Sequence, residues 1–479
     1  MAIKDIYESR LKKLETLRKA GVNPYPVKTK RTHTIEQILD SFSLFSKANA
    51  KLVLAGRIRS IRKHGGSTFI NFEDSTGKMQ AYLGKDKIGK ENYDYFLNNF
   101  DIGDIAEIKG SFFKTKKGEK TIKASKIKML SKSLLPLPEK WHGLTDTEER
   151  FRKRYLDLIM NSEVRKNFVL RSKIIKEIRS FLSDERFLEV ETPILQPIPG
   201  GALAKPFKTD LNALNFDLYL RVSPELYLKK LLVGGFERIY EIGRCFRNEG
   251  MDKYHNPDFT MMELYWAYQD RDGLMKFVER FLKEIIKKTK KNLSIPYEGK
   301  EINFKDPWEI ITFKDLVKKN CGLDIEKSSN KELLKKLSDL GQKVDKNDPR
   351  EILLDEIYKK TCRPNILQPT FVIDHPVEMA VLAKSKEGDQ NYADRFQLVV
   401  GGMELINGFS ELNDPIIQEK RFQYSKISLE RKDKSFLEAL EYAMPPAAGL
   451  GMGVDRLAAL LTDSHSLREI IFFPTMRPK

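Results

Sequence analysis

Arg247 and Glu249 stand two residues apart in YEIGRCFRNEG, so in a strand both side chains leave the same face. A turn carrying His255-Asn256-Pro257 follows, with Phe259 close behind it. Alone, the Arg–Glu pair also reads as a solvated strand edge; with the turn and the aromatic it reads as a site for an anion. A guanidinium there can grip a phosphate and a carboxylate together and neutralise the charge that develops as they join. Gly449, Gly451 and Gly453, followed by Asp455-Arg456, form a second candidate. Read as a dinucleotide-binding loop, this GxGxG spacing lacks the second-strand acid such loops use. Glycines that open a helix also serve simply for close packing.

Such residues need strands and helices to hold them. Residues 164–182 repeat Val164, Phe168, Ile174, Ile175, Ile178, Phe181 and Leu182 at helical spacing, and FLEVETPIL (187–195) then reads as a strand. DRFQLVVGGMELINGF (394–409) reads as two buried strands, FLEALEYAM as a helix stopped by Pro445-Pro446, and GLGMGVDRLAALL as the start of another helix. Residues 270–370 read mainly as lysine-rich amphipathic helices without chemistry of their own. Upstream, residues 5–20 predict an amphipathic helix with Ile6, Leu11, Leu14 and Leu17 on one side and Lys and Arg on the other, ended by Gly21 and Pro24-Tyr25-Pro26. KLVLAGRIRSIR, STFINFED, KMQAYLG, DIAEIKGSFFK and TIKASKIKML are five short alternating segments that suit a small antiparallel barrel such as the OB-fold. Leu134-Leu135-Pro136-Leu137-Pro138 reads as a linker. The domains expected are therefore a helical extension (1–50), a barrel (51–140) and a larger α/β body (141–479).

Length and composition agree. The 479 residues are 41% hydrophobic and 32% charged, enough for two or three packed domains. Lys and Arg number 85 against 68 Asp and Glu, a formal net charge of +17. Residues 51–140 hold 19 basic against 10 acidic residues, so over half the excess sits in under a fifth of the chain and points to a polyanionic partner. Three scattered cysteines, no CxxC pair and six histidines argue against a zinc site or a disulfide scaffold and for a reducing, cytoplasmic setting. No apolar run long enough for a membrane span occurs, and the N-terminus lacks the apolar core of a signal peptide.

FLEVETPILQPIPGGALAKPF, YEIGRCFRNEGMDKYHNPDFTMMELYWAY, LVVGGMELINGFSELNDP and GLGMGVDRLAALL together resemble the motifs of class II aminoacyl-tRNA synthetases; SPELYLKKLLVGGFERIYEIGRCFRNEG and NGFSELNDP resemble the lysyl members in particular. The resemblance implies an α+β catalytic domain built on an antiparallel sheet, with motif 1 at about 164–195, motif 2 at about 240–268 and motif 3 at about 449–461, behind an all-β OB-fold anticodon-binding barrel. It implies an ATP-dependent ligase joining L-lysine to tRNA(Lys) through lysyl-adenylate, working as a cytoplasmic homodimer across motif 1.

Residue by residue, the resemblance makes Arg247, Glu249 and Arg456 catalytic. It puts ATP on Arg247, Glu249, His255, Phe259, Glu404 and Arg456, with Phe259 and Arg456 on opposite faces of the adenine. Lysine falls to Gly201, Glu225, Arg247, Tyr265, Asn407, Phe409 and Glu411. An ammonium is costly to desolvate unpaired, and Glu411 is the family's anion for the ε-ammonium, although as a residue it also reads as a surface-loop acid. Mg²⁺ goes to Glu404 and to Gln397, an amide where many relatives have Glu. Tyr254 stands where relatives have a motif 2 arginine, and Lys253 beside it offers a substitute charge. Arg57, Phe69, Gln80 and Glu119 match the anticodon readers, though alternation alone also allows Phe69 as barrel core. Lys128–Ser133 imitates a class I signature but carries an extra residue and has no HIGH partner. Two rival readings are a lysyl transferase acting on a protein such as elongation factor P, whose known form lacks the barrel, and a non-catalytic RNA-binding paralogue, which need not keep an ATP site.

Overall fold

The computed structural model describes residues 2–138, 144–202, 204–343, 345–424 and 433–478. The chain divides into two units, Met1–Leu144 and Thr145–Lys479. The boundary expected at 140/141 lies outside the described residues.

In the first unit, α1 (Ile3–Lys19) precedes a closed barrel of β1 (Leu52–His64), β2 (Ser67–Glu73), β3 (Lys78–Gly84), β4 (Ile105–Lys114) and β5 (Lys120–Ser131), ordered β1-β2-β3-β5-β4. Alternation puts Leu54, Ile58, Ile70, Phe72, Ala81, Ile108 and Ile122 inside. Gly21 ends the α1 segment in the left-handed region at φ 70°. One expectation fails on α1. Arg10 lies on the buried side with Leu14 and Leu17, and its guanidinium donates to the carbonyls of Ile102 (3.0 Å) and Leu135 (2.9 Å). The segment read as a linker is thereby pinned to the barrel unit.

In the second unit, an eight-stranded sheet runs in the order β9-β10-β11-β12-β13-β8-β7-β6, where β6 is Leu188–Glu189, β7 Arg238–Phe246, β8 Asp258–Ala267, β9 Glu309–Thr312, β10 Thr370–Ile373, β11 Arg395–Val400, β12 Met403–Ser410 and β13 Ala447–Gly453. Pairing is antiparallel from β7 to β10 and parallel only at the two edges. Helices α2 (Ser162–Asp184), α3 (Arg271–Lys290) and α4 (Val454–Leu461) bury Ile178, Phe181, Phe277, Phe281, Leu457 and Leu460 in one core with the sheet.

Two local expectations are corrected. The segment 187–195 keeps only the two-residue strand β6 and another pair, Leu195–Gln196, in place of one continuous strand. The glycines at 449–453 lie in β13, not in a helix, which begins at Val454. β13 is paired on both sides, and Gly449 faces Tyr265 on one neighbour and Phe409 on the other. A Cβ at 449 would press into Tyr265 and Glu411, so glycine is used for close approach across a crowded sheet.

Candidate active site

A cavity of about 800 Å³ lies over the sheet, within the usual range for small-molecule sites. Gly201, Glu225, Arg247, Glu249, His255, Phe259, Tyr265, Glu404, Asn407, Phe409 and Arg456 all line it. Antiparallel pairing of β7 with β8 is what brings Arg247 back beside Phe259, because the loop between them closes with the Arg247 amide donating to the Pro257 carbonyl at 2.8 Å.

The nucleotide-facing side is cationic. The Arg247 guanidinium lies 5.2 Å from the centroid of the Phe259 ring, a stacking contact, and its buried Nε has no hydrogen-bond partner among the described residues. Arg456 donates through Nη1 to the Glu404 carbonyl at 2.8 Å, and its Nη2 lies 3.4 Å from His255 Nε2. Burial lowers the Arg456 pKa, Glu404 raises it, and the charges of Arg363 and Arg247 lower it further. Glu249 is exposed, at 3.4 Å from the Lys205 amide. Lys253 does not fill the gap at Tyr254. Its ammonium sits 4.5 Å over the Tyr254 ring and 3.9 Å from Glu298, and only Tyr254 lines the cavity.

The opposite end is acidic. Glu225 and Glu263 line the wall, whereas Glu411 lies behind it, fully buried. The fully buried ammonium of Lys229 pairs with Glu225 (2.7 Å) and Glu411 (2.5 Å). Burial opposes that charge, yet the two carboxylates outweigh it and hold the Lys229 pKa above its ordinary value. Glu263 receives only neutral donors, Ser223 Oγ at 2.6 Å and the Tyr265 hydroxyl at 3.0 Å, and among the described residues no cationic nitrogen lies within 4.0 Å. Burial, then Glu225, push its carboxyl up to about 8. Three acids thus share one ammonium, which leaves the pocket short of a cation. Asn407 sits between the two ends; its Oδ1 accepts from Arg395 Nε at 2.8 Å, so its amide N–H groups stay available to a carboxylate.

Sequence reasoning missed Glu263, Lys229, Lys359 and Arg363. Glu263 was legible, since it stands two residues before Tyr265 on the same face of β8. Lys359 and Arg363 line the cavity from the stretch read as having no chemistry, and no local pattern announces that.

Gln397, expected as a metal ligand beside Glu404, adjoins that residue. It is buried, its Nε2 donates to Glu404 Oε2 at 3.0 Å, and its Oε1 has no hydrogen-bond partner among the described residues. Among the described residues no group of three or more His, Cys, Asp or Glu is placed to hold a metal ion. Glu404 supplies one carboxylate and Gln397 an amide, so the described residues form no all-protein cage and an ion here would depend on phosphate oxygens.

On the barrel, Phe69 points outward, 5.2 Å from Tyr82 and 6.2 Å from His64, while Ile70 and Phe72 fill the core. Gln80 adjoins it, paired across the strands with Asn71 and accepting from the Thr121 hydroxyl at 3.0 Å. Glu119 is exposed at the turn into β5. Arg57 is engaged elsewhere: it donates to the Gly103 carbonyl at 2.8 Å and lies opposite Glu73. The exposed arginine beside the aromatic patch is Arg62, directly across from Phe69. A bulge between Ile58 and Ser60 separates the two and breaks the alternation by which sequence alone would place them.

Compared with known proteins, residues 146–477 match the family described as tRNA synthetases class II (D, K and N), and residues 52–130 match the OB-fold nucleic acid binding domain. The chain is similar to the lysine–tRNA ligases of Pelotomaculum thermopropionicum (46% identical over 100% of this chain and 96% of the relative), Fervidobacterium nodosum (44%, over 100% and 95%) and Thermotoga maritima (44%, over 100% and 97%).

Proposed function

Since the chain belongs to the class II lysyl-tRNA synthetases, we propose that it ligates L-lysine to tRNA at the expense of ATP, with activation in the Thr145–Lys479 unit and anticodon reading by the barrel. The observation that carries the choice of lysine is the acid-rich, cation-short end of the cavity, with Arg247 between it and the cationic end.

The lysine side chain enters among Glu225, Glu263 and Tyr265, with Glu411 behind them; its carboxylate meets Arg247 and the Asn407 amide. ATP lies on the other side of Arg247, its adenine between Phe259 and Arg456. The lysine carboxylate then attacks the α-phosphate in line and pyrophosphate leaves. The 3′-hydroxyl of the terminal adenosine of tRNA attacks the lysyl carbonyl, and AMP leaves. No side chain is needed as a covalent nucleophile; positioning and fixed positive charge lower the barrier. Mg²⁺ enters as part of the ATP substrate, on its phosphate oxygens.

The OB-fold match at 52–130 favours tRNA over a protein acceptor, and the intact Arg247, Glu404 and Arg456 favour an enzyme over an RNA-binding paralogue. The outward Phe69 with Arg62 and Gln80 is the surface for bases. A homodimer would cover Val169, Leu188, Ile194 and Leu195, which lie exposed on motif 1. No helix among the described residues is long and apolar enough to cross a membrane, and the proposed setting is the cytoplasm. ATP–pyrophosphate exchange measured with every proteinogenic amino acid tests the reading. Lysine alone should support rapid exchange, and a different preferred amino acid refutes the pocket assignment.

A further inference from the structure

The cationic end of the cavity contains two charges that the reaction described above leaves unused. Lys359 and Arg363 belong to a stretch in which a π-helical turn, Tyr358–Cys362, interrupts the helical run between Ile357 and Asn365. Both line the cavity. Single π turns distort a helix locally and recur at functional sites. Lys359 is neutralised in part by Asp355 at 2.5 Å. Arg363 is not: its closest acid is Glu404 at 3.7 Å, beyond hydrogen-bond reach, and among the described residues its guanidinium makes no hydrogen bond. It lines the cavity half-buried, with 21% of its side chain exposed, so its unused donors are partly desolvated.

Arg363 stands beside Glu404, the carboxylate that a protein-anchored metal would use here. The carboxylate such a metal needs is already faced by Arg363 and by the Gln397 amide nitrogen, and the second position offers no carboxylate at all. Behind Gln397 lies His375, fully buried and kept neutral by that burial and by Arg395. A divalent ion drawn to Glu404 would meet the Arg363 guanidinium a few ångströms away, and like charges at that distance repel in a half-buried site. Glu404 links Arg363 to Arg456: its carboxylate lies 3.7 Å from Arg363 and its carbonyl accepts from Arg456 at 2.8 Å, so both guanidiniums line the cationic end of the cavity, away from the lysine pocket.

We infer that Arg363 is a phosphate-binding cation that takes over, at the pyrophosphate end of ATP, the work a protein-held metal ion would otherwise do. The inference rests on the proposed ATP site. It implies that the nucleotide binds well without any divalent ion and that no metal is retained on Glu404 and Gln397.

The test is equilibrium binding of the non-hydrolysable analogue AMP-CPP to the full-length protein by calorimetry, with Mg²⁺ and with EDTA. The wild-type protein should bind in both conditions with dissociation constants within about tenfold of each other. Arg363→Ala should lose about tenfold or more in EDTA and less with Mg²⁺, and Arg363→Lys should recover part of the loss, which a purely structural arginine would not show. The double variant R363A/Q397E, which rebuilds a carboxylate pair, should become dependent on divalent ion, and Mn²⁺ counted by electron paramagnetic resonance should rise by one ion per chain relative to wild type. Binding by wild type only with Mg²⁺, or equal EDTA binding by Arg363→Ala, overturns the inference. Failure of wild type to bind the analogue in either condition overturns instead the ATP site on which it rests.

Discussion

Glu263→Gln isolates the charge that selects lysine. The substitution keeps the shape of the side chain and its contacts to Ser223 and Tyr265 but removes the one carboxyl of the acid set that has no resident cation. Losing one side of a buried charge pair costs about 2–5 kcal/mol, or roughly 30-fold to several thousand-fold in lysine affinity. The pH dependence is more specific still. In the empty pocket the Glu263 carboxyl is pushed up to about 8, so below that pH it is mostly protonated. An incoming ammonium favours the ionised form, hence binding expels a proton. Lysine affinity should therefore climb about tenfold per pH unit from pH 6 to about 8 and level off above it, each unit being worth about 1.4 kcal/mol. In Glu263→Gln the affinity should be low and its rise with pH shallower, since only the Glu411 carboxyl, itself pushed up to about 8 by burial, is left to ionise over that range. Calorimetry in buffers of different ionisation enthalpy reads both effects: at pH 7 wild type should release clearly more protons per lysine bound than the variant. Equal lysine affinity in the two proteins, or a wild-type profile that falls with rising pH, refutes this account of the pocket.

The remaining tests probe neighbouring parts. Glu411→Gln leaves Lys229 with Glu225 alone, so kcat/KM for lysine in pyrophosphate exchange should drop at least about 30-fold while the KM for ATP moves little; melting curves should show lowered stability, because a buried ammonium loses a partner. Gly449→Ala pushes a methyl group into Tyr265 and Glu411 at the floor of the lysine pocket, and should weaken lysine in the same assay without changing binding of the ATP analogue. A chain starting at Thr145 retains its own sheet and core and should exchange pyrophosphate yet charge tRNA poorly. Phe69→Ala in the full chain should lose about 1–3 kcal/mol with tRNA from one stacked base, at fixed salt, and nothing in exchange. Normal tRNA charging by a folded truncation removes the barrel from anticodon reading.

Much of this protein is written locally. Alternation in STFINFED and KMQAYLG announces short half-buried strands whatever lies next to them, and so the barrel, but it leaves open whether Phe69 or Ile70 faces inward; the closed barrel decides for Ile70 and Phe72. Arg247 and the turn to Phe259 likewise announce a site for an anion, although the nucleotide itself comes from the resemblance and β7 ends at Phe246, one residue before Arg247. Tertiary structure decided the rest, for reasons of distance along the chain. Whether Gly449 opens a helix or fills a central strand depends on Tyr265 and Phe409 arriving on either side. Which arginine of β1 joins the aromatic patch depends on a bulge that shifts register by one residue. The charge balance of the cavity is the least local property of all. Lys229 neutralises Glu411 from 182 positions away, leaving Glu263 as the unpaired acid, and Arg363 faces Glu404 from a separate helical segment. Electrostatic pairing acts through space at a few ångströms, so composition and spacing can supply the charges but only the packed chain decides which are left without a partner.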